Sequence, residues 1–304
     1  MKFVITGAAG NISGPLALRL LKEGHTVTVI GRNAAHLKEL AEMGAHIEIG
    51  SVEDPVIINK AFKDSDAVYT MCPPDVTVSN LSRFCENIAT NYAESITLNK
   101  IRHVVNLSSV GAHLLKGAGH ITGVQKAEAV LNQLENVNVL HLRPVYFLTN
   151  LFGQIELIKN MGIMGANFSV PAKRFPVVHP HDIAAVAADE LLNLDFPGHS
   201  VRYIASDETG TDEIASVLGK SIGKPELKWT RFTDEQFSQG LMQAGFSKEI
   251  IPEFVEGFNA LHNGRLFEDY WIHRPEKLGA TKLADFAKLF ESVYNSKQKI
   301  LNEA

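Results

Sequence analysis

"VITGAAGNISGPLALRLL", residues 4–21, is the stretch on which the reading of the whole chain turns. An apolar strand candidate runs into glycines and then into a helical pattern in which Leu16, Leu20 and Leu21 share one face. Pro15 falls in the first turn, where its missing N–H costs little, and Gly24 is a natural stop. Gly7 permits a tight strand-to-helix turn. Gly10 lets the backbone approach a phosphate at the helix N-terminus, with Asn11 and Ile12 beside it at the helix entry. The third position of a GxxGxxG spacing is Ser13, and Gly14 comes one place late. That position mainly serves helix–strand packing, for which serine is small enough.

The following segments repeat the same alternation. Strand candidates are Lys2–Thr6, Thr26–Ile30, His46–Ile49, Ala67–Met71, His103–Leu107 and Asn138–Leu142, rich in Val and Ile and without in/out alternation. That pattern fits strands buried on both faces. Helical patterns fall between them, and Asp54-Pro55 reads as an N-cap followed by a first-turn proline. Repeated strand–helix–strand units predict an α/β fold with a doubly wound parallel Rossmann sheet. After Pro144 the expected helices are Thr149–Asn160, His181–Asn193, Asp212–Ile222 and Thr233–His262, the last opened by a Thr233/Gln236 capping box. Strand candidates Val201–Ala205 and Leu227–Phe232 lie among them. We expect a dinucleotide-binding unit over 1–150 and a smaller, mostly helical substrate region over 151–304, with segments returning to the sheet. The ligand is expected between them, at the switch point of the sheet.

Composition narrows the function. With 304 residues, a net charge of -5 and 45% hydrophobic residues, the chain has ample core and no electrostatic reason to bind nucleic acid or anionic membrane. Two cysteines, Cys72 and Cys85, make no metal-ligand pattern and suit a reducing compartment. No apolar run reaches membrane-spanning length, and Met1-Lys2 leads directly into a strand, so a cytoplasmic location is expected.

The second strand ends in "VTVIGRN", where an NAD-preferring protein would place an acid for the ribose hydroxyls. Arg32 stands there instead, and a guanidinium suits a 2′-phosphate, so NADP(H) is preferred over NAD(H). "MCPP" after the fourth strand brings Cys72 and Pro73 to the cofactor channel, with the thiol expected to be packed and unreactive. Ser108 and Ser109 follow the fifth strand at its ligand-facing edge. Tyr146, Phe147 and Asn150, past the sixth, face either the nicotinamide and acceptor or the core. "HPHD", residues 179–182, precedes an apolar helix, and Asp182 reads as a cap or first-turn carboxylate rather than a metal ligand. His113 and His120 lie in a glycine-rich loop that either closes over a substrate or is plain surface.

"VITGAAGNISG", "VIGRN", "HVVNLSS", "QKAEAVL", "LRPVYFLTN" and "FPVVHPHDIAAVAADELL" together resemble the NmrA-like family of atypical short-chain dehydrogenase/reductases. The pieces occur in the family's order over roughly the first two-thirds of the chain. The resemblance implies NAD(P) binding and either reduction of quinones, dyes or phenolics, or redox sensing through a protein partner without turnover. Catalytic relatives carry Tyr-x-x-x-Lys, whereas this spacing falls on Thr122 and Lys126. The lysine is present and the phenol is absent, and a threonine hydroxyl is too weak an acid to replace it. The resemblance puts Lys126 near the nicotinamide ribose, as the catalytic residue whose ammonium holds the ribose and favours negative charge developing on the acceptor. The leading expectation is an NADPH-dependent reductase of a small quinone-like or conjugated acceptor, which can take its proton from water. The alternatives are a non-catalytic redox sensor and, more weakly, a sugar-nucleotide epimerase-like enzyme, against which the missing tyrosine counts.

Overall fold

The computed structural model describes residues 1–302, with side chains through residue 296. Strands β1 (Lys2–Ile5), β2 (Thr26–Gly31), β3 (His46–Ile49), β4 (Ala67–Met71), β5 (His103–Leu107) and β6 (Asn138–Pro144) join His199–Ile204 in one sheet. Its order is His199–Ile204, β6, β5, β4, β1, β2, β3, and every neighbouring pair is parallel. Chain direction across the sheet reverses between β1 and β4, so a crevice opens at their carboxyl ends. This is the doubly wound α/β sheet expected from the sequence.

Two cores explain why the strands lack polar alternation. Phe3, Ile5, Val27, Val29, Val105 and Leu140 face one core, shared with the helix Ser13–Lys22 and the C-terminal region. Val4, Ile30, Val68, Val104 and Val139 face the other, against Pro55–Phe62 and Leu81–Leu98. Successive side chains alternate between two apolar layers, so both are hydrophobic.

Local chemistry sets the helix starts. The Asp54 side chain accepts from the N–H of Val56 at 2.9 Å, with Pro55 as the first helical residue. Pro180–Asn193 is capped by His179, whose ring accepts from the N–H of His181 at 3.2 Å. Asp182 sits in that helix's first turn and accepts from Ser206 Oγ at 2.5 Å and from the N–H groups of Ala280 and Thr281 at 3.2 and 3.0 Å. It therefore ties the last third of the chain to the sheet.

Two expected helices divide. Thr149–Asn160 is a 3₁₀ segment, Leu148–Gln154, followed by Ile155–Met161, with the poor helix former Gly153 in its tighter part. Thr233–His262 becomes Asp234–Gln243 and Ile251–His262: Gly245 takes a φ of 87°, and Pro252 restarts the chain near the N-terminus of the second helix. The Thr233/Gln236 capping box is present, with bonds of 3.2 and 3.0 Å. The strand Phe175–Val178, which the sequence did not reveal, pairs with Tyr146–Phe147 and Asp207–Thr209.

These last helices bridge the loops that leave β4 and β5. Ser247 donates its N–H to the Val76 carbonyl at 2.8 Å and its hydroxyl to the Val78 carbonyl at 2.7 Å. The turn Gly119–Ile121 lies so close to Ile251–His262 that a Cβ on Gly119 would overlap the Glu253 carbonyl. Beside it the His120 ring stacks on Phe254, centroids 4.3 Å apart and planes 1° from parallel.

Burial depresses two histidines, His120 and His141, to about 4 from an ordinary 6.5. Their neutral forms are favoured in the native state, so this contribution is complete above the unfolded pKa and is lost as pH falls from about 6.5 to about 4. These two histidines are expected to take up as many as two protons on unfolding in that window, beside smaller uptake at His103, His113 and His179, and one of the two is removed in His120→Phe, which preserves the stacking. Denaturation at several pH values measures this, and an unchanged slope in His120→Phe would remove His120 from the account.

Candidate functional site: a glycine turn at the switch point

Gly7 leaves β1 with a φ of 65°, and a Cβ there would lie 2.7 Å from Met71 Sδ at the end of β4. Glycine is thus favoured by conformation, and any side chain there would also have to displace the Met71 thioether. The Gly10 N–H bonds the Gly7 carbonyl at 2.9 Å, and a Cβ on Gly10 would press on that carbonyl at 3.1 Å. The helix that follows has Ile12 as N-cap, with no side-chain hydrogen bond and no acid in its first turn. Its positive end therefore remains uncapped and suits an anion.

Ser13 and Gly14 divide the work expected of a third glycine. Ser13 is 2% exposed and begins the helix, whereas a Cβ on Gly14 would lie 3.2 Å from the Ala8 carbonyl. The displaced glycine is the one that lets the helix settle against the turn. The sequence reading gave that packing to Ser13 alone.

A cavity of about 240 Å³ continues from Gly7, Ala9 and Gly10 past Gly31 and Arg32 to Ser51, Glu53, Pro73 and Asp75. Arg32 is exposed at its rim, where the end of β2 places it. Asp75 accepts at Oδ1 from the N–H and hydroxyl of Thr77, at 2.9 and 2.6 Å. Glu53 is met by the Ser51 hydroxyl at 3.2 Å. Asn11 is exposed and Ile12 is buried at the helix entry, and neither lines this cavity. Pro73 lines it, whereas Cys72 lines a small neighbouring space with Cys85. Cys85 and burial push the Cys72 thiol up, away from the reactive thiolate.

Ser108, at the end of β5, is 6% exposed and donates to Glu128 Oε1 at 2.5 Å. Arg143, near the end of β6, donates to both oxygens of the same carboxylate, at 2.9 and 2.6 Å. Beyond it lie Tyr203 at 3.2 Å and Asp269 at 3.4 Å, and Tyr203 donates to Asp269 at 2.5 Å. The ion pair is nearly enclosed, with side-chain exposures of 10% for Arg143 and 6% for Glu128. The sequence reading missed both residues. The available signal was a charge inside the apolar strand "NVLHLRP", which demands a buried partner.

Lys126 lies on the same helix, Thr122–Leu131, but not on the face that carries Glu128. Its Nζ lies 3.5 Å from Glu86 on Leu81–Leu98, and its side chain is 42% exposed. The position one turn before Glu128 belongs to Val124, which packs between the helices and the sheet. The structure therefore does not bring Lys126 to the cavity of the glycine turn. Tyr146 packs on Phe175 and Phe168, centroids 4.8 and 6.0 Å away, and burial raises its pKa. His113 has both ring nitrogens enclosed without a partner among the described residues.

A larger cavity, about 940 Å³, lies elsewhere, between the sheet-edge strand His199–Ile204, the helix Pro180–Asn193 and residues 269–280. Among the described residues no helix is long and apolar enough to cross a membrane.

The fold is shared widely. The chain is similar to triphenylmethane reductase from Citrobacter sp., at 17% identity over 96% of this chain and 100% of that one, with a TM-score of 0.74. It is similar to the NADPH-dependent quinone oxidoreductase QOR2 from Escherichia coli in complex with NADPH, at 17% identity over 95% and 99%, TM-score 0.76. A nucleoside-diphosphate-sugar epimerase from Staphylococcus aureus matches at 14% over 95% and 100%, TM-score 0.74. No curated protein gives a sequence match. The sequence profile described as NAD(P)H-binding matches residues 7–193, more than half the chain, and covers the glycine turn, Arg32 and the ends of β4, β5 and β6. By that match the chain belongs to the NAD(P)H-binding family of NmrA-like, atypical short-chain dehydrogenase/reductase type.

Proposed function

We propose that the protein is an NADPH-dependent reductase of a small quinone-like or conjugated aromatic acceptor. The observation that carries this reading is where the hydroxyl protons go at the carboxyl ends of β5 and β6. Ser108 commits its only O–H to Glu128, so toward a ligand its oxygen can only accept. Burial makes Tyr146 a weaker acid than a free phenol. Thr122 offers only an alcohol, and the Lys126 ammonium faces Glu86. None of these four is placed as the acid that reduction of a simple ketone requires. A quinone spreads the incoming charge over its own π-system and takes its proton from water, and an extended cationic dye is neutralised by the hydride itself and needs no proton. The names of two structural neighbours, a triphenylmethane reductase and a quinone oxidoreductase, agree with such acceptors.

In this reading the glycine turn and the uncapped helix end hold the pyrophosphate, and Arg32 meets the 2′-phosphate. Bound there, the cofactor supplies the hydride. Ser108, held by Glu128 and Arg143, accepts a hydrogen bond from the nicotinamide half. Pro73 closes the channel, and Cys72 contributes packing behind it. The cytoplasm is the expected compartment.

A panel of quinones and triphenylmethane dyes with NADPH tests the activity, and oxidation of NADPH at 340 nm is expected with at least one of them. Tight NADPH binding with no turnover across the panel would favour a cofactor sensor instead. Arg32→Ala is expected to weaken NADPH by about 1.5–3 kcal/mol through loss of a charge-assisted contact, with NADH little affected. Gly10→Val is expected to abolish binding of both cofactors while circular dichroism stays native. Full affinity in that variant would place the phosphate elsewhere. Lys126→Met, which deletes half of an exposed ion pair, is expected to change turnover and NADPH affinity by less than about threefold. A tenfold loss would return Lys126 to the nicotinamide ribose, where the family resemblance puts it.

A further inference from the structure

The end of β2 carries no acid for an adenosine ribose, but the cavity beside it does. Asp75 comes from the loop after β4, a different part of the chain, and lines the same 240 Å³ space as Arg32, Gly31 and Gly10. Its carboxylate is held by a local turn in which both hydrogen bonds, from the N–H and hydroxyl of Thr77, fall on Oδ1. Oδ2 receives no hydrogen bond from the described residues, so one oxygen of an anchored carboxylate stays available. These Thr77 bonds, with the nearby Arg32 charge, hold the Asp75 carboxyl below the usual carboxylate range, so it is ionised at neutral pH.

We propose that Asp75 is the ribose-binding acid missing from the end of β2, accepting from the hydroxyls of an unphosphorylated adenosine ribose, and that its opposition to Arg32 lets one cavity take both NADH and NADPH. The proposal rests on the cofactor reading above and deepens it. Arg32 attracts a 2′-phosphate, while the Asp75 carboxylate repels it and rewards a free 2′-hydroxyl. Glu53 also lines the cavity, but a single contact, the Ser51 hydroxyl at 3.2 Å on Oε1, holds its longer side chain, against the two that anchor Asp75. The two charges that set the choice thus sit on separate loops and can be altered one at a time.

Titration of NADPH, NADH, 2′,5′-ADP and 5′-AMP into wild type, Asp75→Asn, Glu53→Gln and Arg32→Ala tests this. Asparagine keeps an oxygen for Thr77 and replaces the free, charged oxygen with a neutral NH2 donor of the same size. Asp75→Asn is expected to tighten NADPH and 2′,5′-ADP by roughly three- to tenfold and to weaken NADH and 5′-AMP by a similar factor. Glu53→Gln is expected to shift the ratio by less than about twofold. If Arg32→Ala lowers NADPH affinity but Asp75→Asn leaves the NADPH:NADH ratio unchanged, the Asp75 assignment is wrong and the cofactor site stands. Equal shifts in Asp75→Asn and Glu53→Gln would likewise overturn it, as a general charge effect. If Arg32→Ala leaves NADPH binding untouched, the cofactor reading itself fails, and this proposal with it.

Discussion

An arginine buried in a parallel strand cannot stand alone, and much of the arrangement around the site follows from satisfying Arg143. Removing a guanidinium from water costs several kcal/mol unless a carboxylate meets it with good geometry. Glu128 does so with two bonds, which fixes the rotation of the helix Thr122–Leu131 against β6. The same carboxylate then receives Ser108, so the end of β5 is set by the same contact. The remaining guanidinium nitrogen reaches Tyr203 and Asp269, which draws the C-terminal region onto the sheet. One charge thus orients two strand ends, a helix and the later part of the chain.

That contact also decides where the Ser108 proton goes. A hydroxyl has one proton, and the strongest local acceptor takes it. With Ser108 donating to a carboxylate held by Arg143, its oxygen keeps only lone pairs for any further partner.

The sheet and the glycine turn were legible because they depend on local pattern. Runs of Val and Ile, a helix face at Leu16 and Leu20, and glycines after β1 need no knowledge of distant partners. The position of Arg32 at the cavity rim follows in the same local way, from the end of its own strand. Glu128 and Asp75 were hidden because their roles arise only when separate loops or elements meet: Glu128 with Arg143, and Asp75 across the cavity from Arg32. Lys126 is matched by a four-residue spacing alone, and in the structure Glu128, two positions on, faces Arg143 while Lys126 lies 3.5 Å from Glu86. Likewise the single helix read over Thr233–His262 ignored the glycine and proline that divide it.

The outermost strand, His199–Ile204, pairs with β6 over its full length but is separated from it by more than fifty residues of chain. On the ribosome, β1 to β6 emerge first, and the free edge of β6 waits for that strand. At about 5–20 residues per second the interval lasts several seconds, during which an apolar edge offers its unpaired N–H and C=O groups to any other strand. Synthesis of this protein therefore contains a built-in pause of exposure, closed only when the intervening segments have been made and the last strand docks.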